Sequence, residues 1–268
     1  MSGDLIIRPA MEQSVAGQVA RVIFTGEQIA DFRVPIVAAD PAAGWVAEGA
    51  EILPSDPDLA EVVTKFFKLA GLTVVSNELA KDSSPEAVAV VGAGLVRDIA
   101  RKLDAAFFGS NVGFTAIQPA GLQNLVGINA VVAGAAWTNS DPFVEAIFEA
   151  ADVGATLTSF VCSPADAVLL AQVKDGTGSN RPLLIPDPSV PTRRVIEGLQ
   201  LYVSPAVTVG TVWGIPEDRA LLVIRDEADF SIDYSAYFSS DRAGIRAICR
   251  TGFLFPHPAA VQKIQLTP

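Results

Sequence analysis

Few residues in this chain could carry acid–base, nucleophilic or metal chemistry. Among its 268 residues are one histidine and two cysteines. His257 lies between two prolines near the C-terminus, while Cys162 and Cys249 each stand in an apolar segment. A zinc site built from several His or Cys residues cannot be assembled within one chain, and a catalytic triad would have to use His257. We therefore expect no catalytic residue, no metal site and no cofactor.

The remaining signatures of catalysis are weak. The acidic pairs Asp56/Asp58 and Glu217/Asp218 stand in Pro-rich turns, which is typical of solvated loop carboxylates rather than paired acids. The glycines at 92 and 94 lack the third glycine of a dinucleotide-binding turn and fall inside a predicted helix. An enzyme function has little support from these residues.

Composition excludes other classes. The net charge is −11, because 30 acidic residues outnumber 19 basic ones, so a basic nucleic-acid-binding domain is excluded. The chain is 50% hydrophobic, which is enough to bury a sizeable core. Residues 105–140 carry no charge, but their glycines, proline and amides favour buried strands and turns over a membrane span. No signal peptide is predicted, and two distant cysteines favour a reducing cytoplasm.

A long helix is the clearest predicted element. Ser84 is a good N-cap, Pro85 suits the first helical position, and Gly109 is a natural stop. Apolar residues recur at three- and four-residue steps, at Val88, Val91, Leu95, Ile99, Leu103 and Phe107. A helix over about 85–108 would be about 36 Å long and would act as a spine crossing a whole domain.

Two segments predict strands with charged side chains. We interpret Glu61–Val75 as one strand whose faces are both partly charged and partly aromatic, so it suits either a ribbon lying on a neighbouring subunit or a plain edge hairpin. From Arg242 to Thr251 the residues alternate, with Arg242, Arg246 and Arg250 on one face. That face is either solvated or paired with carboxylates across an interface. Residues 120–224 mix two helices with several strands, which predicts a compact α+β domain.

This order of elements resembles the major capsid protein family of tailed double-stranded-DNA bacteriophages, with the Hong Kong 97-type fold. The resemblance rests on residues 44–49 (GWVAEG), 69–83 (LAGLTVVSNELAKDS), the 84–109 helix and, most specifically, 230–256 (FSIDYSAYFSSDRAGIRAICRTGFLFP). It implies an α+β subunit with an N-terminal arm (1–32), an extended loop (43–75), an axial domain (121–224) and a peripheral domain (33–42, 76–120 and 225–268).

The resemblance also implies a function. Hexamers and pentamers of one chain would tile an icosahedral shell around viral DNA, in a virion assembled in the host cytoplasm. Portal, decoration and separate scaffolding proteins would be further partners, the genome would be contacted weakly and without sequence specificity, and no membrane would be involved. The shell of an encapsulin-like nanocompartment and an unrelated soluble enzyme are the alternatives.

One member of that family cross-links its subunits through a loop lysine and an asparagine of the peripheral domain. Lys65 and Lys68 could serve as the lysine, but residues 225–268 contain no asparagine. We therefore expect non-covalent contacts to hold the shell. Only about 30 residues precede the shared architecture, so a separate scaffolding protein, or none, is expected.

The distribution of charge along the chain indicates which segments of neighbouring subunits contact each other. Residues 41–82 have a net charge of −4 and residues 121–224 of −5, whereas 225–268 are neutral overall. We hypothesise that the extended-loop carboxylates meet the arginines of the C-terminal strand of a neighbouring subunit. The candidate contact residues are Glu48, Glu51 and Glu61 on one side and Arg242, Arg246 and Arg250 on the other.

Overall fold

Helices and strands are interspersed along the chain, which confirms the α+β class. In the computed structural model the described residues are 4–26, 31–39, 43–49, 51, 56, 58–78, 86–109, 117–176, 178–186 and 194–267. The helices are α1 (Asp4–Gln13), α2 (Val15–Val19), α3 (Glu86–Phe107), α4 (Asp141–Asp152) and α5 (Pro164–Gln172). The strands are β1 (Arg21–Thr25), β2 (Asp31–Ala39), β3 (Asp58–Lys65), β4 (Phe67–Ser76), β5 (Asn129–Val132), β6 (Ser159–Cys162), β7 (Ile185–Pro186), β8 (Arg194–Ile196), β9 (Leu199–Val203), β10 (Thr211–Ile215), β11 (Leu221–Tyr237), β12 (Arg242–Leu254) and β13 (Gln262–Gln265).

A four-stranded sheet has the order β1-β11-β12-β4. β1 runs parallel to β11, and the other two pairings are antiparallel. The predicted alternation along β12 is confirmed: Ala243, Ile245, Ala247 and Cys249 are buried, whereas Arg242, Arg246 and Arg250 are exposed. The buried side of this sheet packs against α3, so the arginines lie on the opposite, outer face.

A seven-stranded sheet has the order β5-β13-β10-β6-β9-β8-β7, and α4 and α5 share one of its cores. β13, the last strand of the segment 225–268, belongs to this sheet. This strand lies between β5 and β10, parallel to the first and antiparallel to the second, with Ile264 fully buried. Pairing on both sides is what draws the C-terminal strand into this sheet.

The long helix α3 confirms the predicted spine, although Ser84 and Pro85 lie outside the described residues. Its 22 residues correspond to about 33 Å. Ile99, Leu103 and Phe107 of the predicted apolar stripe are buried.

The N-terminal segment, for which we predict an arm that is extended or partly helical over residues 1–32, contains two helices and a strand in its described part. Residues 4–25 form α1, α2 and β1, which pack against α3 and extend the four-stranded sheet. The apolar residues Ala10, Met11, Ala16 and Val19 are buried in the core that contains α3. Burial of this apolar face favours packing over extension.

A buried carboxylate on α3 fastens this segment. Asp104 accepts hydrogen bonds from the Ser14 hydroxyl at 2.6 Å, from the Val15 amide at 3.1 Å and from the Ala16 amide at 2.9 Å. It thereby satisfies amide groups at the start of α2, which has no earlier turn to accept them. Burial raises the pKa of Asp104, and the hydrogen bonds from Ser14, Ala16 and Val15 oppose that rise.

The two sheets share a hydrophobic core around the end of α3. The Phe107 ring packs edge-on against Phe108 and Phe253, with centroids 5.0 and 5.2 Å away. Trp213 and Ile215, from β10 of the seven-stranded sheet, belong to the same cluster. The sheets are therefore joined by apolar packing.

A separate two-stranded ribbon is formed by β2 and β3, which pair antiparallel. The interpretation of Glu61–Val75 as one continuous strand is wrong at Phe66, where the strand is interrupted. β3 ends at Lys65, and β4 begins at Phe67 and pairs with β12 over ten residues. β3, before Phe66, therefore belongs to the ribbon, whereas β4, after Phe66, belongs to the four-stranded sheet.

We predict that Asp104→Ala destabilises the unassembled subunit by about 3 kcal/mol, because three donors lose their acceptor in a buried site. Urea unfolding measures the change. Asp98→Ala, an exposed position on the same helix, is the matched control and should change the free energy of unfolding by about 0.5 kcal/mol or less. Equal losses of unfolding free energy in the two variants would contradict a stabilising role for the hydrogen bonds of Asp104.

We further predict that both cysteines resist thiol reagents while the subunit is folded. Burial raises the pKa of Cys162 to about 12, with Asp166 adding to the rise, and burial raises the pKa of Cys249 to about 11. The reactive thiolate is therefore disfavoured in the fold, and stability should fall as pH rises above the ordinary thiol value of 9.0. Val46→Cys in the exposed loop is the positive control. Labelling of the native cysteines at the control's rate, without denaturant, would refute this.

Candidate assembly interface

The loop of the ribbon, between β2 and β3, projects into solvent. Its described residues, 43–49, 51 and 56, are all exposed. Trp45 is fully exposed, and the carboxylates Glu48 and Glu51 follow three and six residues later. A tryptophan without apolar cover within its own subunit is typical of a contact surface.

The base of the ribbon, in contrast, is held against the outer face of the four-stranded sheet. A small apolar cluster joins sheet residues Leu221, Val223 and Leu254 to ribbon residues that include Val34 and Val62. Gly252 of β12 lies directly beneath the ribbon, since a Cβ there would be 2.7 Å from the carbonyl oxygen of Lys65. The ribbon therefore leaves the subunit in a direction that packing at its base determines.

Beyond this base the outer face of the sheet is open and cationic. β12 presents Arg242, Arg246 and Arg250, and β4 places Leu72 opposite Arg246 and Lys68 opposite Arg250. Leu72 is 62% exposed. The structure thus brings the three predicted arginines together with an exposed apolar side chain and a lysine.

Three of the predicted contact residues, Glu61, Lys65 and Lys68, lie at the base of the ribbon or beside it. Glu61 forms an ion pair with Arg33 across the ribbon, with 3.4 Å between Arg33 Nη1 and Glu61 Oε2. Both side chains are largely exposed, so this pair contributes little stability. Lys65 ends β3, whereas Lys68 lies in β4, so the two candidate lysines belong to different sheets.

An acidic residue of the same chain lies near the arginine face. Asp233 of β11 accepts hydrogen bonds from the Ser235 hydroxyl at 2.6 Å and the Ser235 amide at 2.7 Å. These bonds, with a smaller contribution from Arg246, lower the pKa of Asp233. The carboxylate is therefore a fixed negative charge at the margin of a mainly positive face.

A second buried carboxylate, Asp166 at the start of α5, was not predicted to join distant segments. It accepts hydrogen bonds from Trp137 Nε1 at 2.9 Å, the Ser163 hydroxyl at 2.7 Å and the Gly210 amide at 2.9 Å. Ser163 stands three residues before Asp166, which is the spacing of a helix cap, but no sequence pattern links either residue to Trp137 or Gly210. With three donors around it, Asp166 is placed to fix loops rather than to do chemistry.

The remaining titratable candidates are not assembled into a site. His257 is half-buried, and its pKa is lowered by burial and by the nearby Arg219. Within the described ranges no group of three or more His, Cys, Asp or Glu side chains is placed to hold a metal ion. No helix in that part of the chain is both long enough and apolar enough to cross a membrane.

Comparisons with known proteins agree with this architecture. The phage capsid family model matches residues 3–266. The fold is similar to that of the capsid of an empty GTA particle (TM-score 0.75, 18% identity, covering 96% of this chain and 90% of that one). It is also similar to structures from Mycobacterium phage Adephagia (TM-score 0.74, 17% identity, 95% and 90% covered) and Gordonia phage Cozz (TM-score 0.70, 17% identity, 96% and 87% covered). No curated protein matches the sequence.

These matches confirm the Hong Kong 97-type capsid fold and do not favour the nanocompartment alternative. Family and fold point to a structural role rather than a catalytic one, and to a place in the capsid of a virus particle. Since the family model covers almost the whole chain, this protein belongs to the phage capsid family and is a structural major capsid protein.

Proposed function

We propose that this chain assembles as hexamers and pentamers into an icosahedral shell that encloses a DNA genome, and that it does so in the host cytoplasm. The observation that carries the proposal is the ribbon. Its base is packed on its own subunit, whereas its loop presents a fully exposed Trp45 with no cover among the described residues. Such a loop is expected to gain its apolar contacts from a second copy.

The outer face of the four-stranded sheet is the surface that this loop would contact. Glu48 and Glu51 are exposed on the loop, and Arg242, Arg246 and Arg250 are exposed on the sheet. The opposite charges favour a ribbon-on-sheet contact between neighbours and fix its register. Because Glu61 already pairs with Arg33, the proposal rests mainly on Glu48 and Glu51, with Glu61 as a peripheral contributor.

We further propose that the contacts are non-covalent and that Lys65 and Lys68 act through their charge.

The net charge of −11 suits a wall that does not hold packaged DNA tightly. We propose portal, decoration and separate scaffolding proteins as further partners of this chain in the shell.

Electron microscopy of the purified chain tests the shell itself, with icosahedral particles as the expected result. Denaturing electrophoresis of those particles should show one band at the subunit mass of 28.1 kDa. A ladder of higher bands would show covalent cross-linking and overturn the non-covalent proposal. Soluble monomers under all assembly conditions would overturn the proposal that this chain forms a shell.

We predict that Arg246→Glu blocks assembly while the subunit stays folded, because a carboxylate then faces the acidic loop of the neighbour. Sedimentation separates shells from subunits, and circular dichroism checks the fold. Lys102→Glu, which makes the same charge change at an exposed position on α3, should leave assembly intact. Adding Glu48→Lys to Arg246→Glu should partly restore shells. Normal shells from Arg246→Glu alone would refute the contact.

A further inference from the structure

The seven-stranded sheet has two different side edges. β5 is the strand at one edge and β7 the strand at the other. α4 packs on β5 and β13, and Asn129 of β5 donates a hydrogen bond to Glu149 of α4. α5 follows the central strand β6 and continues into a segment in which Lys174 pairs with Pro182, and this segment leads into the edge strand β7. α4 therefore lies at the β5 edge, whereas the segment after α5 leads to the β7 edge.

The edge beside α4, which we name the acidic flank, exposes a phenylalanine among carboxylates. Phe148 is 70% exposed, and it lies in one stripe of the helix with Asp141, Glu145 and Asp152, which are all exposed. The helix Asp141–Asp152 contains no basic residue. Val132 of β5 and Val153 after α4 add further exposed apolar surface.

This arrangement is unfavourable in the isolated subunit. Glu145 and Glu149 lie four residues apart and repel each other, and burial together with Glu145 raises the pKa of Glu149. Carboxylates near the C-terminal end of α4 also oppose the helix dipole. A basic partner would relieve both penalties, and an apolar one would cover Phe148.

The surface of α5 and of the segment that follows it, which we name the basic flank, offers that chemistry. Val168 and Leu169 on α5 are 56% and 50% exposed. Lys174 and Arg181, in the segment that follows α5, are exposed as well. Their contacts within the subunit are long: Lys174 Nζ is 3.4 Å from the Asn180 carbonyl oxygen, and Arg181 Nε is 3.9 Å from Asp175 Oδ2. Such contacts leave both cations able to bind a partner's carboxylate.

We propose that the acidic flank of one copy binds the basic flank of the next, so that Phe148 packs on Val168 and Leu169 while Glu145 and Asp152 meet Lys174 and Arg181. The proposal rests on the proposed function, since it supplies a contact between successive subunits of a capsomer. Because the acidic flank repels a second acidic flank and the two flanks are different surfaces of the subunit, the contact is heterologous. Head-to-tail contacts of this kind close into rings when the rotation permits.

Cysteine cross-linking tests the pairing directly in assembled particles. Both native cysteines are buried, so Phe148→Cys and Leu169→Cys supply the reactive thiols. Under mild oxidation the double variant should give a ladder of cross-linked species that extends to the size of the ring. A mixture of the two single variants should give dimers and nothing larger, because each chain then carries one reactive thiol.

The same gels hold the outcomes that overturn the proposal. Particles of the double variant without cross-links would show that the flanks do not meet. Dimers from Phe148→Cys alone would show like flanks facing each other. Either result rejects the head-to-tail pairing while leaving the shell intact.

Charge reversal provides an independent readout. Glu145→Lys should cause loss of sedimenting shells, and adding Arg181→Glu should restore them, because the pair is exchanged rather than removed. Glu217→Lys, an exposed position outside both flanks, is the control and should assemble normally. Normal assembly of Glu145→Lys overturns this inference alone, whereas failure of the unaltered chain to form any particle overturns the proposed function and this inference with it.

Discussion

The apolar core around Phe107 is the interaction on which the rest of the subunit depends. At the end of the long helix, this ring contacts Phe108, Phe253 and Phe255, with centroids 5.0 to 5.4 Å away. Phe253 comes from the four-stranded sheet, and Trp213 of the seven-stranded sheet lies in the same cluster. Because interiors are close-packed, this one cluster fixes how the two sheets are placed relative to each other. The surfaces that each sheet presents to a neighbour are therefore placed by a shared interior.

The core also explains why the described part of the N-terminal segment docks on its own subunit. Asp104 stands on the same helix three residues before Phe107, and a buried carboxylate is costly unless donors surround it. The donors come from Ser14, Val15 and Ala16. The carboxylate of Asp104 therefore obtains its hydrogen bonds only when α2 docks against α3. Docking places β1 at one edge of the four-stranded sheet while β4 forms the other edge. The ribbon thus connects to both edges and is anchored twice.

Local pattern predicted the elements whose signal lies within one segment: the spine helix, the alternation along β12 and the presence of two helices within residues 120–224. It missed what depends on distant partners. β13 is four residues long and acquires its place by pairing with β5 and β10. Nothing in the run from Glu61 to Val75 marks the break at Phe66, because the change is one of pairing partner rather than of propensity. The arginine face was predicted from alternation, but the exposure of Trp45 could be known only once the ribbon was seen to stand apart.

Several unfavourable features of the subunit lie at its surface, and these features argue for assembly. Strand register places Arg225, Arg250 and Lys68 side by side across three neighbouring strands, which concentrates positive charge in this part of the sheet. The carboxylates of α4 repel each other, and Trp45 and Phe148 are exposed. The buried carboxylates Asp104 and Asp166, in contrast, each have three donors. The exposed apolar side chains and the crowded carboxylates of α4 are therefore the groups that contacts with other copies of the chain would stabilise.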